Sequence, residues 1–442
     1  MMKQNTAAVS SNESSELLLC GDLIREILLK LPIKTLLRFK QVSKTWLRMI
    51  TGSSFISDHY SVAKSRQSGP SFFIVRIPIN ICDRDRVVSV ITQISMEASR
   101  IRIDNNIPLR SRSQSQSCRV NGYPYPVMFT AGFGLYCAFE SLSQRVALLN
   151  PGTRELELLP PSPFCDRIHS DNLFCFGHVE YNEDGGFSYK VGLLSQSQVE
   201  NSDSVFVHRL QLYSSSTDSW KLILTPEGSC CSWMANGVNL NGKYHMLSYG
   251  YESSDDDEYD YAYYEYDCHI MTFDYSSETF GRIELPDVMG KTIGRSNLMN
   301  NSFLTLDDDK SLCLVVRWKN KQAVSDDDED EQVSDDELLD EEEVNHEEFM
   351  DVWVMREYGV KESWSRELTV GPISRRIRML GYWKNAGGFF LQDHYKLYIC
   401  NGASFEIERL DYVDLDEMHN VQVVQRTAES LIPIKRSHTG LK

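Results

Sequence analysis

Five phrases of this chain repeat one local plan, and that repetition limits the folds open to it more than any other feature. VALLNPGTRELELLP, LQLYSSSTDSWKLIL, IMTFDYSSETFGRIELP, VWVMREYGVKESWSRELTV and LYICNGASFEIERL each read as an apolar strand, a polar turn and a second strand that often begins with an aromatic residue. The turns fall at Pro151-Gly152, Ser215-Thr217, Ser276-Ser277, Tyr358-Gly359 and Asn401-Gly402, residue types that favour chain reversal. Taking Leu149, Leu212, Phe273, Trp353 and Tyr398 as equivalent points, successive hairpins stand about 63, 61, 80 and 45 residues apart, and the third interval shrinks to about 57 once an acidic run is set aside. Units of roughly 50 residues with several strands each are the sequence mark of propeller blades. Residues 71–434 then hold six or seven blades, with six favoured. Ring closure asks a first strand near Phe72 to Ile77 to pair with one from the chain's end, leaving no free sheet edge.

Before residue 71 the apolar period is helical. In GDLIREILLKLP, Asp22 is placed to cap the helix start, and Leu23, Ile24, Ile27, Leu28 and Leu31 share one broad face, with Leu29 outside the pattern. Pro32 stops this helix and can open the next, whose apolar side is Ile33, Leu36, Leu37 and Phe39. Ser43 is a cap for a third helix with Trp46, Leu47 and Ile50 as buried candidates, and Ser53 starts a fourth. The expected fold class is α+β multidomain. A polar tail over 1–16 precedes a small all-α module over 17–63, an all-β propeller follows over 71–434, and a tail closes the chain over 435–442.

The run LLLCGDLIREILLKLPIKTLLRFKQVSKTWLRMITGSSFISDHY resembles an F-box over its whole length, with the DL, EIL, LP, LLRF, V-S-K-T-W and S-F-x-x-x-H elements in order. It departs from most members at the entry, where Leu19 is followed by Cys20 and Gly21 instead of Pro; this removes a preset φ and adds chain entropy, lowering the adaptor affinity expected. The resemblance implies docking onto a Skp-type adaptor and through it a cullin. Carried over position by position, the adaptor contacts are Leu23, Ile24, Ile27, Leu31, Pro32, Leu36, Leu37, Phe39, Val42 and Trp46, some of which must serve as the module's own core. Between residues 25 and 48, Arg25, Lys30, Lys34, Arg38, Lys40, Lys44 and Arg48 face a single acid, Glu26, a balance that steers in an acidic partner. Further on, CFGHVEYNEDGGFSYKVGLL, SSSTDSWK, GVNLNGKYHML and DVWVMREYGVKESW together resemble the plant F-box-associated domain, which is kelch-like. That resemblance covers most of residues 120–410 and implies a surface that selects the protein to be ubiquitinated. The function so implied is substrate recognition in an SCF-type ubiquitin ligase; an F-box scaffold outside any ligase, and a ligand-binding propeller, are the alternatives.

The formal charge of −18 is unevenly spread. Residues 326–348 carry 15 of the 63 acidic residues and 255–267 carry seven more, and neither stretch holds a Lys or Arg. Without them the chain has fewer acids than its 45 bases, so the folded body is near neutral. The insertions at 253–267 and 325–348 read as solvated loops, since like charges repel and few apolar residues interrupt them. They give a protein target with a basic surface a reason to approach. Ser325 and Ser334 each precede three acids and are candidate sites for an acid-directed kinase. The 253–267 insertion also interleaves tyrosines with its acids, a mix that suits either recognition or an elongated hairpin.

Catalysis finds no support in the pattern. The ten histidines are isolated, no nucleophile elbow or spaced metal pair occurs, and His169 with Cys165 and Cys175 is a chance grouping. The 11 cysteines form no CxxC pair, which fits reduced thiols in a cytoplasmic or nuclear protein. No basic stripe points to nucleic acid and no apolar run to a membrane, and no cofactor is expected. Trp220, Trp318, Trp353, Trp364 and Trp383 stand at strand positions where blade packing explains them.

Overall fold

The computed structural model describes residues 21–66, 71–78, 89–97, 100–109, 126–140, 145–164, 173–181, 186–198, 206–226, 229–231, 237–250, 267–287, 303–307, 311–319, 348–373, 377–383, 388–393, 396–401, 407–409, 419–425 and 428–434. Helix α1 covers 21–29, α2 Ile33–Phe39, α3 Lys44–Thr51 and α4 Ser53–Ser65. Residue 21 is already helical, so Asp22 sits inside the first turn and is not its cap. Pro32 is extended (φ −61°, ψ 148°) and its carbonyl accepts from Thr35 N and Leu36 N, opening α2 as its fixed φ allows. Ser43 caps α3 by accepting from Trp46 N at 3.1 Å.

The strands follow in blocks along the chain. They are β1 (Ser71–Pro78), β2 (Ser89–Glu97) and β3 (Arg100–Leu109); β4 (Pro126–Gly132), β5 (Leu135–Glu140), β6 (Arg145–Asn150) and β7 (Glu155–Leu158); and β8 (Leu173–Tyr181), β9 (Phe187–Gln198), β10 (Phe206–Ser214) and β11 (Ser219–Leu224). Next come β12 (Ser229–Cys231), β13 (Val238–Leu240), β14 (Lys243–Gly250), β15 (Asp267–Asp274) and β16 (Thr279–Glu284), then β17 (Phe303–Asp307), β18 (Ser311–Lys319), β19 (Glu348–Met355) and β20 (Trp364–Ile373). The remaining strands are β21 (Ile377–Trp383), β22 (Gly388–Asp393), β23 (Lys396–Asn401), β24 (Ile407–Arg409) and β25 (His419–Gln425).

Among the described residues these strands form six antiparallel sheets, each but one a run of consecutive strands. The exception is the first sheet, ordered β25-β1-β2-β3, in which Phe72 pairs with Gln425 and Pro78 with His419. The expected seam between the two ends of the strand region is therefore present. The innermost strands β25, β4, β8, β13, β17 and β21 follow one another around the ring, and Asn239 Nδ2 donates to Gly177 O at 2.8 Å where β13 meets β8. The fold is a β-propeller.

The five sequence hairpins are the third and fourth strands of five sheets, and Leu149, Leu212, Phe273, Trp353 and Tyr398 all lie on third strands. Three of the turns share one device. Arg154, Asp218 and Glu278, each the fourth residue after its strand, take left-handed φ of 60°, 48° and 56°. In two of them the last strand residue closes the turn: Asn150 Oδ1 accepts from Gly152 N and Thr153 N, and Asp274 Oδ1 from Ser276 N and Ser277 N. Burial pushes the Asp274 carboxyl up, but the Ser276 hydroxyl, the two backbone N–H groups and Lys243 outweigh it and hold the group at about 2.

Neighbouring sheets pack through apolar faces. Phe176, Leu194, Leu210 and Leu212 of the third sheet meet Tyr244, Met246, Met271 and Phe273 of the fourth, with the Phe176 and Tyr244 rings stacked at 4.3 Å. Leu247 and Ile270 meet Leu312 and Leu314, and Val315 and Val352 meet Phe389 and Leu391, carrying the core around the ring. Full burial of each such side chain contributes about 1.5–3 kcal/mol.

Strand alternation gives the ring two unlike faces. First-to-second and third-to-fourth turns lie on one; second-to-third connections lie on the other. On the first face the Tyr60 ring of α4 packs at a tilt on Phe133, in the turn between β4 and β5, at 5.0 Å, and Ile33 of α2 abuts Gly152 between β6 and β7. The helices sit there because β1 starts, and β25 ends, on that side.

Candidate functional site

The helical module spends its apolar residues in two directions. Leu28, Leu29, Ile33, Leu36, Ile50, Phe55 and Ile56 join one buried cluster with Ala131, Leu135, Val146 and Leu148 of the second sheet and Leu431, Ile432 and Ile434 near the chain's end. Ile24, Leu31, Leu37, Phe39 and Trp46 pack partly buried against it, Phe39 and Trp46 meeting edge-on at 5.1 Å. The other direction is solvent: Leu23 is 64% exposed, Ile27 60%, Val42 62% and Leu47 42%.

This sorts the residues singled out from the sequence. Leu36 is fully buried, so a direct adaptor contact through it is corrected to a core role. Pro32 is exposed and lines, with Leu29, His59, Arg66 and Ala428, a cleft of about 260 Å³. Leu47, expected inside, faces out, because α3 turns Ile50 and not Leu47 toward α4 and the ring. Leu29, outside the helical face in the sequence, is buried because α1 is flanked on two sides, by its own module and by the segment ending at Ile434. Periodicity reports one apolar face per helix, and a second, orthogonal contact surface escapes it.

Polar contacts fix the module. Arg25 is ion-paired with Asp58 and lies 5.9 Å over the Phe55 ring, tying α1 to α4. His59 Nε2 donates to Leu31 O at 2.9 Å, which pins α4 to the turn before α2. Lys40 differs from the other basic residues: burial lowers its ammonium below the ordinary lysine value, with Glu155 on β7 opposing the shift. It faces the ring, whereas Lys30, Lys34, Arg38, Lys44 and Arg48 are exposed.

Both acidic insertions leave the ring on its other face. One joins β14 to β15 and the other β18 to β19, the same second-to-third position in adjacent sheets. Asp267 and Glu348, assigned to these insertions from the sequence, are the first residues of β15 and β19. Glu348 is 2% exposed and ion-paired with the equally buried Arg317, whose Nη1 also donates to Ile377 O in the next sheet. One acid of the run is thus drawn into the seam between sheets by a cation that would otherwise be buried alone. Ser325 and Ser334, the rest of the 325–348 insertion and residues 253–266 lie outside the described residues.

Among the described residues no group of three or more His, Cys, Asp or Glu is placed to hold a metal, and no helix is long and apolar enough to cross a membrane. His245, fully buried on β14, has its Nε2 2.8 Å from the Tyr358 hydroxyl and its Nδ1 3.3 Å from Val238 O. Burial lowers its imidazole to about 4, so it is neutral and joins the fourth and fifth sheets as a structural link. Burial, with the neighbouring Cys137 thiol, pushes Cys175 well up, so the Cys175 thiol is not activated by this pairing. Cys165 and His169 lie outside the described residues.

Comparison with known proteins agrees with this division. Residues 17–58 match the F-box domain and residues 79–433 the F-box associated beta propeller domain. An F-box/kelch-repeat protein of Arabidopsis thaliana is 24% identical over 331 residues, covering 68% of this chain and 66% of the relative. A second F-box protein of that plant is 30% identical over 199 residues, covering 42% of this chain and 44% of the relative. F-box protein CPR1, also from Arabidopsis thaliana, is 23% identical over 368 residues, covering 79% and 72%. The chain thus spans less than two thirds of the length of the first two relatives.

Proposed function

Since the chain belongs to the F-box proteins that carry an F-box associated β-propeller, we propose that it is the substrate-recognition subunit of an SCF-type cullin ubiquitin ligase, working in the cytoplasm or nucleus. The observation that carries this reading is the outward set Leu23, Ile27, Val42 and Leu47 on a module whose opposite side is buried on the ring. Apolar side chains concentrated and exposed in this way favour a partner that covers them, and the surrounding cations favour an acidic one. A Skp-type adaptor is that partner, and it brings the cullin. The receptor itself supplies proximity and orientation; the bond-forming chemistry belongs to the charged ubiquitin-conjugating enzyme.

The target is a protein with a basic surface, engaged on the face from which both acidic insertions leave, opposite the helices. Phosphorylation of Ser325 and Ser334 would strengthen that attraction by adding charge. The test is the double substitution Leu23→Asp and Ile27→Asp in the full chain. Adaptor pull-down, and with it cullin co-purification, is lost while the melting temperature stays unchanged. Retained binding would refute the docking surface, and adaptor binding without any cullin would refute the ligase role.

A further inference from the structure

We propose that the segment Ala428–Ile434 is a clamp that locks the helical module onto the ring, with Asn150 as the residue that seats it. If the receptor reading above holds, on which this second step rests, the clamp fixes the separation between adaptor and target.

The segment follows β25 and runs between the helices and the second sheet. Leu431, Ile432 and Ile434 are each 1% exposed, in the same cluster as Leu28, Ile33 and Leu36 on one side and Val146 and Leu148 on the other. Asn150 is fully buried at the end of β6, and its Nδ2 donates to Ser430 O at 3.0 Å and Ile432 O at 2.9 Å. Ile434 N donates to Glu155 Oε2 at 3.2 Å, the carboxylate that also faces Lys40 of the module.

Two glycines admit the segment. A Cβ on Gly152 would stand 3.1 Å from both Ile33 Cδ1 and Ser430 O, so helix, clamp and turn meet at that atom. A Cβ on Gly134, whose φ is +74°, would stand 2.4 Å from Ala428 O. Asn150 and Glu155, which anchor the segment's backbone, both belong to the second sheet, while its apolar side chains also touch the helices. A flexible tether between module and ring needs none of this.

Asn150→Asp isolates the role. The aspartate keeps the oxygen that accepts from Gly152 N and Thr153 N, so the turn survives, and it replaces the donor facing two carbonyls with a second acceptor. A site-specific protease sequence placed between Arg66 and Ser71 of the full chain reads the effect. After cleavage the helical fragment co-elutes with the wild-type ring, and Asn150→Asp weakens that association at least tenfold. A fragment that leaves the wild-type ring, or stays as firmly on the variant, would overturn the clamp. Should the Asn150→Asp ring not melt cooperatively, a chain ending at residue 427 leaves the second sheet intact and is expected to release the fragment. If that ring fails as well, the segment belongs to the ring's own fold and the clamp is wrong. None of these measurements uses the adaptor, so failure of adaptor binding would remove the receptor reading and leave the clamp standing.

Discussion

The helices and the ring dispose of their apolar residues in opposite ways. Around the ring, the strands of adjacent sheets turn Phe176, Tyr244, Phe273 and Phe389 into closed interfaces, each ring side chain at or below 2% exposure. In the helices, four large apolar residues stand 42–64% exposed within residues 23–47 while the opposite side of the same elements is buried; the ring exposes Leu158, Phe164, Tyr181, Leu222, Leu224 and Tyr358 to a similar degree, but spread over a far longer stretch of chain. Four short helices have too little interior to bury both sides of themselves. The ring completes one side, through the second sheet and the clamp; the other side is left for a partner. A self-sufficient domain and a half-finished one are joined in one chain, and the unfinished surface is where association belongs.

The sharpest way to break this comparison is Leu36→Asp. It buries an uncompensated charge between helices and ring, which costs about 3–5 kcal/mol, enough to remove the helical signal in circular dichroism and not merely adaptor binding. A folded module that has lost only its partner would return Leu36 to the docking surface.

Acidification probes the ring alone. His245 has its pKa depressed in the folded state, so its contribution is fully present above its unfolded value of 6.5 and is lost as pH falls toward about 4. The loss amounts to about 3 kcal/mol by the lower end of that window. The midpoint of urea denaturation should fall across this range in the native chain and fall less in His245→Gln; equal slopes would show that the histidine is not buried neutral.

The gentlest test is Val42→Asp. On an exposed connection it should change stability by no more than about 0.5 kcal/mol while weakening adaptor capture in a pull-down. A large loss of stability would mean that this surface is already covered within the chain.

What the residues reveal in advance follows from how local the responsible physics is. Ser43, Pro32 and the hairpins act within a few positions of themselves, and each hairpin pairs the two strands expected of it, although Gly402 of the fifth turn lies outside the described residues. The β2–β3 hairpin of the first sheet escaped that reading. Its strands, SVITQISME and RIRIDNNIPL, mix polar with apolar residues, lack the aromatic start that most of the other five carry, and pair with a register shift after Thr92. Of the docking residues, Leu23, Ile27 and Val42 face outward, whereas Leu36 is indistinguishable from them in the sequence because apolar patterning does not say which partner covers which residue. Asn150 looked like an ordinary turn residue, since the carbonyls it serves lie 280 and 282 positions away.

That distance matters for how the protein is made. The seam strand β25 pairs with β1 across roughly 340 residues, which at about 5–20 residues per second separates their synthesis by about 20 to 70 s. Throughout that interval β1 has a bare hydrogen-bonding edge, and Asn150 waits through about 280 residues of synthesis for the carbonyls of Ser430 and Ile432. The helical module is meanwhile already outside the ribosome with its apolar stripes uncovered. The nascent chain is therefore most in need of a chaperone just before its last strand arrives, and an adaptor that bound early would act as one.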